Sequence, residues 1–452
     1  MLERKTDRIL REWKSQPGHR PLIIRGCPRC GKTFSVQKFA RENYARIISL
    51  SCRENPDLAA ALAGRTDPDS ILLRLSALLP PPVNFIPGNT LLIFREIQEC
   101  PGAWAALRLL SQNGRFDVIG TSSFPEAGDV LQSSAADPDS RETVRIMHPL
   151  DFEEFLLTHG IGDQHIAQLA DALKSESPVP EALHCRMREL LLLYAVTGGM
   201  PEAVECLLET HNLRLVREIQ QDIIGSFLDS PLRQTGAFTA HSSSGSRSRS
   251  LVRECLLSVP DHLSRENRKF QYARVRKGGT AAQFAASLRW LEEAGIIVRC
   301  LNLARLELPL EDSVLPENFK IYMQDTGLFI SMLDDRLPAA ILQGSLAGNN
   351  GAVAEALAAD ILNKLDLRLC YYRRKSGLTV DFVLPYQGEC LLMEIRKTTG
   401  NAKALRTVLA RQDGHPVAGA FKFGDWNISR QGRILRLPWY MMFLLKPSGD
   451  GD

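Results

Sequence analysis

No stretch of the 452-residue chain reaches the eighteen or so uninterrupted apolar residues that a bilayer-spanning helix needs, and the longest apolar runs carry Arg or Glu nearby. The segment leading to Trp13 alternates charged and apolar residues and has no apolar core of signal-peptide type. No membrane partner is expected, and a cytoplasmic location follows as the default. Charge of one sign is also lacking: 55 Lys and Arg face 52 Asp and Glu, and a net charge of +3 sets up no global field toward an acidic partner. Ten cysteines lie scattered without a dense framework, which predicts reduced thiols. Only Cys27 and Cys30 form a close pair, and apart from the adjacent His184-Cys185 no second ligand pair has the spacing of a four-ligand zinc site, which argues against zinc. There is no internal repeat.

What is present is a globular composition, 44% hydrophobic and 24% charged, in a chain too long for one ordinary core. Short apolar runs at Leu22 to Ile24, Ile47 to Leu50, Leu91 to Phe94 and Val118 to Gly120 are separated by helical stretches. That alternation predicts an α/β domain over residues 1–150, built on a parallel, helix-covered sheet. Residues 151–235 read as a helical lid or connector, broken at Gly198-Gly-Met-Pro201. The polar tract His241 to Ser250 cannot bury apolar area and reads as a mobile loop at a boundary. Over 251–335, a helix from Ala281 to Ala294, a stop at Gly295 and a strand from Ile296 suggest a winged-helix-like unit. Residues 336–446 follow as a C-terminal α/β domain, with a helix from Ala352 to Leu365 and strands at 369–372, 379–384 and 391–395.

The chemistry concentrates first in Gly26-Cys27-Pro28-Arg29-Cys30-Gly31-Lys32-Thr33, between the first strand and a helix. This is the context in which a glycine loop cradles phosphate on backbone N–H groups and a helix N-terminus. Lys32 is placed to reach the β- and γ-phosphates of ATP, and the Thr33 hydroxyl to take one position on Mg2+. Such a site also needs acidic residues at the end of a neighbouring strand. In Leu91-Leu-Ile-Phe-Arg-Glu96, Glu96 is the candidate to polarise water. Arg95 stands where a magnesium-supporting Asp belongs; a guanidinium repels the metal but can neutralise phosphate charge. Hydrolysis is therefore expected to be weak. Ser122, or its neighbour Ser123, ends the next strand within reach of the γ-phosphate. A disulfide between Cys27 and Cys30 would distort the loop, which suggests oxidative switching of nucleotide binding.

Thr90 to Pro101, Pro149-Leu-Asp-Phe-Glu-Glu-Phe-Leu156 and Gly198-Gly-Met-Pro-Glu-Ala-Val204 resemble a widespread prokaryotic family of AAA-type ATP-binding proteins. Glu266-Asn-Arg-Lys-Phe270, Leu288 to Gly295 and Asp325-Thr-Gly-Leu328 are similar to its pattern too. The resemblance implies an AAA-type P-loop domain, ATP with Mg2+ as ligands, and a C-terminal domain of unknown function containing a nuclease-like core. The chain departs from the family where an Asp-Glu pair becomes Arg95-Glu96.

In that C-terminal region, Asp381 and Glu394 sit inside apolar, strand-like runs. If Gln387-Gly388 is a two-residue hairpin turn, Tyr386 pairs with Glu389 and Asp381 comes opposite Glu394. With Glu355 from the preceding helix as a third ligand, the set resembles the metal site of PD-(D/E)xK nucleases. Arg396 takes the place of their lysine and cannot serve as a base. A plain ion pair with Arg396 explains the carboxylates equally well. Basic residues from Arg247 to Lys277, among them Arg265 and Arg274, and the run Arg373-Arg-Lys375 are suited to a nucleic-acid backbone, or form solvated faces. Three functions stand open: a nucleotide-dependent switch acting on an unknown protein partner, a nucleic-acid-binding adaptor, and an ATP-gated metal-dependent nuclease.

Overall fold

In the computed structural model, the described residues are 2–62, 67–79, 85–100, 102–112, 114–123, 143–229, 245–344, 346, 351–374, 377–395, 403–410 and 417–445. All four apolar runs of the N-terminal region are strands of one parallel sheet: β1 (Leu22–Arg25), β2 (Arg46–Ser51), β3 (Thr90–Arg95) and β4 (Asp117–Ser122). Leu91 to Phe94 are buried on both faces of β3, as a continuous apolar run in a helix-covered sheet should be. Each such side chain contributes about 1.5–3 kcal/mol of burial free energy. A fifth strand, β5 (Thr143–Ile146), carries no apolar run and escaped the sequence reading. Backbone pairing places it, Thr143 N donating to Pro21 O and Met147 N to Arg25 O at 2.8 and 2.6 Å. The strand order β2-β3-β4-β1-β5 sets β4 between the loop-bearing strand β1 and the acidic end of β3. Helices α1 (Lys5–Ser15) and α2 (Lys32–Asn43) belong to the same unit, and α3 (Asp57–Leu62), α4 (Pro68–Leu78) and α5 (Ala103–Gln112) close a core around Ile23, Leu92, Leu75 and Leu107.

By contact the chain falls into two units, residues 1–149 with 227–250 and 293–295, and residues 150–226, 251–292 and 296–452. The second holds an eight-stranded mixed sheet in the order β12-β13-β11-β10-β9-β8-β6-β7. Its strands are β6 (Ile297–Leu303), β7 (Val314–Met323), β8 (Cys370–Arg373), β9 (Thr379–Tyr386), β10 (Glu389–Ile395), β11 (Val417–Gly424), β12 (Ser429–Gln431) and β13 (Ile434–Pro438). The hairpin β6–β7, anticipated as part of a winged-helix-like unit, continues this sheet, because β6 pairs in parallel with β8. Helix Ala352–Asn363, the consecutive antiparallel strands β8, β9 and β10, helix Lys403–Ala410 and β11 parallel to β10 follow one another along the chain. Gln387 and Gly388, at φ 50° and 79°, make the two-residue turn, with Tyr386 opposite Glu389 as counted from the sequence.

One expectation changes here. Of the polar tract His241 to Ser250, residues 241–244 lie outside the described residues, and a helix spans Gly245–Leu257. Val252, Cys255 and Leu256 bury an apolar stripe at helical spacing that anchors it. Residues 151–235, anticipated as a helical lid or connector, begin with helices as read. Asp151 and Glu154 close a reciprocal capping box on helix Phe152–Thr158. Lys364 Nζ lies 2.7 Å from Asp360, 3.4 Å from Asp325, and donates to Tyr194 Oη and Leu150 O at 2.9 and 3.2 Å. Asp325 in turn accepts from Gly199 N at 2.6 Å, and Asp360 from Thr326 N at 2.7 Å. Any Cβ at Gly198 would come within 2.0 Å of Asp325, and one at Gly199 within 1.9 Å of Leu150 O. The Gly-Gly-Met-Pro and Asp-Thr-Gly motifs are thus one buried polar joint that fastens helix Glu181–Thr197 to helix Ala352–Asn363.

Candidate nucleotide-binding site

β1 delivers the chain into the loop, and α2 receives it at Lys32. Gly31 adopts φ 101°, a left-handed conformation that glycine takes without strain, and Arg29 adopts φ 65°. Gly26 is fixed for another reason: a Cβ there would stand 2.0 Å from Met147 O, where the chain leaves β5. The N-cap residue Gly31 has no side chain to cap α2, and the Lys32 N–H bonds Cys30, so the helix start already favours negative charge beside the loop. The Lys32 ammonium, buried, donates to Gly26 O at 3.0 Å and Cys27 O at 2.9 Å, folding back over the loop that it shares with Pro28 and Arg29. A helix start, a glycine loop and a converging ammonium form a donor set that fits a phosphate group.

Cys30 is fully buried, with Sγ 3.3 Å from Met147 O and 4.0 Å from Lys32 Nζ. Its thiol is lowered from the ordinary 9.0 to about 6, chiefly by the hydrogen bond with Cys27, while burial opposes and the charges of Lys32 and Arg4 assist. Arg4, just before α1, donates to Cys30 O at 3.0 Å and to His148 O at 2.7 Å, tying the loop to the segment after β5. Sequence reasoning missed Arg4, since 26 and 144 residues separate it from its acceptors.

At the end of β3 the Glu96 backbone is left-handed, φ 50°. Its carboxylate accepts from Ser123 Oγ at 2.7 Å, Ser123 N at 3.2 Å and Gln98 Nε2 at 2.6 Å. Ser122 Oγ donates to Gln98 Oε1 at 2.8 Å, so Ser122 and Glu96 are joined through Gln98, a residue not singled out from sequence. The intermediate strand β4 makes this possible: Gly26 N donates to Ser122 O at 3.2 Å, so one residue touches both the loop and the acidic strand end. Thr33 lies half-buried at the second position of α2.

Arg95 is engaged elsewhere: its guanidinium pairs with Glu54, beyond the end of β2, on the outer side of β3. Arg53 pairs with Glu99 beside it, and a disulfide joins Cys52 to Cys100. The expectation of reduced thiols throughout therefore fails for this pair, 48 residues apart in sequence, which the parallel pairing of β2 with β3 brings together.

The second set of carboxylates lies in the C-terminal unit. The β9–β10 register, continued one pair past Phe382 and Met393, sets Asp381 against Glu394 as anticipated, and Asp381 accepts from Ile395 N at 2.8 Å. Glu355, expected as their companion in a metal site, is instead held by Lys320 at 2.7 Å and by Arg268 and Tyr322. Those two cations keep its carboxyl below the usual range against the upward push of burial. Among the described residues no group of three His, Cys, Asp or Glu side chains is placed to hold a metal ion. Next to Glu394 in register stands buried Lys422 of β11, a cation unforeseen because β11 was not read from the sequence. Arg396 lies outside the described residues.

Comparison with known families matches residues 18–156 to the AAA domain and residues 188–338 to a domain of unknown function, DUF8612. No curated protein matches the chain. Among solved structures it is similar to the Aeropyrum pernix ORC2 protein in its ADPNP-ADP complexes, at 13% identity over 76% of this chain and 93% of that one, TM-score 0.35. It is also similar to AMPPCP-bound DnaA from Aquifex aeolicus, at 14% identity over 65% and 90% of the two chains, TM-score 0.27. A third is the Thermotoga maritima RuvB Holliday junction branch migration motor, at 12% identity over 68% and 91%, TM-score 0.28. The N-terminal region is thus matched as an AAA domain, with the glycine loop between β1 and α2 inside the matched residues. No described helix is long and apolar enough to cross a membrane.

Proposed function

We propose that this ATP-binding AAA-type protein is a nucleotide-dependent switch with weak hydrolysis, whose occupied or empty state is read by a protein partner through the C-terminal unit. The carrying observation is the loop itself: Lys32 spans its carbonyls over the helix start. In this reading Lys32 would exchange Gly26 O and Cys27 O for phosphate oxygens, and Thr33 would offer its hydroxyl to Mg2+. The backbone of residues 26–31 follows the phosphate chain. Magnesium neutralises phosphate charge when bound; Glu96 orients the attacking water once it leaves Ser123 and Gln98. Slow turnover follows from Arg95, which leaves the strand end without the carboxylate that would support the metal and turns its own guanidinium to Glu54.

The test is binding and turnover with three proteins. A fluorescent ATP analogue should bind the natural chain more tightly with Mg2+ than without, and Lys32→Ala should lose at least tenfold in affinity. ATP turnover should be low in the natural chain and rise in Arg95→Asp. Full turnover in the natural chain with no gain in Arg95→Asp would refute this account of Arg95. The order of helix, three antiparallel strands, helix and parallel strand supports a nuclease-like ancestry for the C-terminal domain. Cleavage is less favoured, because Glu355 is neutralised by Lys320 and Arg268.

A further inference from the structure

The two basic clusters of the sequence meet in the second unit. A groove of about 410 Å3 is lined by Arg265, Glu266, Asn267, Gln271, Arg274 and Arg373. Arg265 and Glu266 follow helix Val259–Leu263, Arg274 lies on the short helix Tyr272–Val275, and Arg373 is the last residue of β8. The turn at 266–268 sorts its side chains. Arg268, left-handed at φ 47°, sends its guanidinium inward to Glu355, while Glu266 and Asn267 stay exposed at the groove.

Three guanidinium groups share this groove with one carboxylate of its own, Glu266. Arg265 is compensated by Asp261, one turn earlier, at 3.0 Å. Arg274 bonds only the neutral Gln271, at 2.8 Å, and the Arg373 side chain has no ion-pair partner among the described residues. Like charges drawn together at partly exposed positions repel, and the fork of a guanidinium matches the oxygens of phosphate. Surroundings favour a polymer over a free ion: residues 265–277 carry six Lys and Arg against one acid, and although Arg265, Arg268 and Arg276 pair with Asp261, Glu355 and Glu254, Lys269, Arg274 and Lys277 meet no carboxylate in an ion pair among the described residues. A backbone that spaces phosphates along a basic strip is the ligand such a surface suits.

We infer that the groove bounded by Arg265, Arg274 and Arg373 binds a phosphodiester of a nucleic-acid backbone, separately from the nucleotide site. Arg274 and Arg373 contact the phosphate directly; Arg265, held by Asp261, flanks it; Asn267 and Gln271 offer neutral hydrogen bonds. Base identity is not read by these groups, so binding is expected to be indifferent to sequence and steeply salt-dependent.

The experiment uses the full chain carrying Lys32→Ala, so that the phosphate loop cannot account for the signal. Fluorescence anisotropy is followed with a labelled 20-nucleotide single strand and with the matching duplex, from 50 to 200 mM KCl. Binding of either is expected, and adding Arg274→Glu with Arg373→Glu should weaken it at least tenfold and flatten the slope of log affinity against log salt by roughly two. Arg186→Glu with Arg214→Glu, an equal charge change on exposed helices elsewhere, should alter affinity less than threefold. An absence of binding at 50 mM KCl overturns the inference, as does an equal loss in both double variants. Displacement by polyglutamate as readily as by unlabelled DNA also overturns it, and so does binding of inorganic phosphate alone.

Discussion

Cys30 stands 4.0 Å from the ammonium that has to reach phosphate, and its thiol is shifted down to about 6 from 9.0. An acid whose folded value lies below its unfolded one contributes stability that is complete above the unfolded value and is lost as pH falls through the folded one. For Cys30 that window runs from about 9 down to about 6. Cys30→Ser should therefore destabilise the AAA domain more at pH 8 than at pH 5.5. The difference is of order 2 kcal/mol, read from melts of the two proteins at both pH values. A gap that is the same at both would show that the thiolate is not the favoured form. The sequence exposed the spacing of Cys27 and Cys30, and that spacing suggested a redox pair. It could not reveal that Arg4 and Lys32 both face Cys30, because Arg4 is brought there only by the packing of the chain before α1.

At the level of elements, the segment after β2 is fastened to the end of β3 and the turn beyond it three times, by Glu54 with Arg95, Arg53 with Glu99 and Cys52 with Cys100. Glu96 lies within the clasped segment. Closing a loop of 48 residues restricts the unfolded chain by about 4 kcal/mol in the chain-entropy account. The exposed Arg53 pair is worth under about 1 kcal/mol. Reduction, or Cys52→Ser, is expected to lower the melting temperature of the AAA domain clearly and to raise hydrogen exchange at 95–100, whereas Arg53→Ala should do neither. Equal effects of the two changes would deny the disulfide its dominant role. The strands that make this clasp were legible, since Ile47 to Leu50 and Leu91 to Phe94 are apolar runs of strand length. The clasp was not, because sequence order does not say that β2 and β3 are neighbours while β4 separates β3 from β1. The same limit hid β5 and merged the β6–β7 hairpin into a larger sheet, both matters of backbone pairing that side-chain pattern does not encode.

On the scale of the molecule, the joint around Lys364 decides what can move. Two carboxylates, Asp325 and Asp360, face one ammonium in a fully buried setting. Both acids hold Lys364 protonated, while burial and the charge of Asp325 push Asp360 upward. Tyr194 and Gly199 reach the same cluster from helix Glu181–Thr197 and its C-terminal turn, so this helix shares a buried ion network with helix Ala352–Asn363. A segment fastened this way does not close as a lid by itself, since opening the joint would strand buried charge at a cost of about 3–5 kcal/mol. A nucleotide signal that reaches the C-terminal sheet is then expected to move helices and sheet as one body. Lys364→Met tests this by leaving two acids uncompensated. Hydrogen exchange should rise together in 181–199, 325–331 and 352–363, with the ATP affinity of the loop unchanged within about twofold. The isosteric Asp360→Asn with Lys364→Met should restore much of the protection, because it removes one of the stranded charges. If exchange rises in 181–199 alone while 352–363 stays protected, the helical segment is an independent lid after all, and the switch works by its closure.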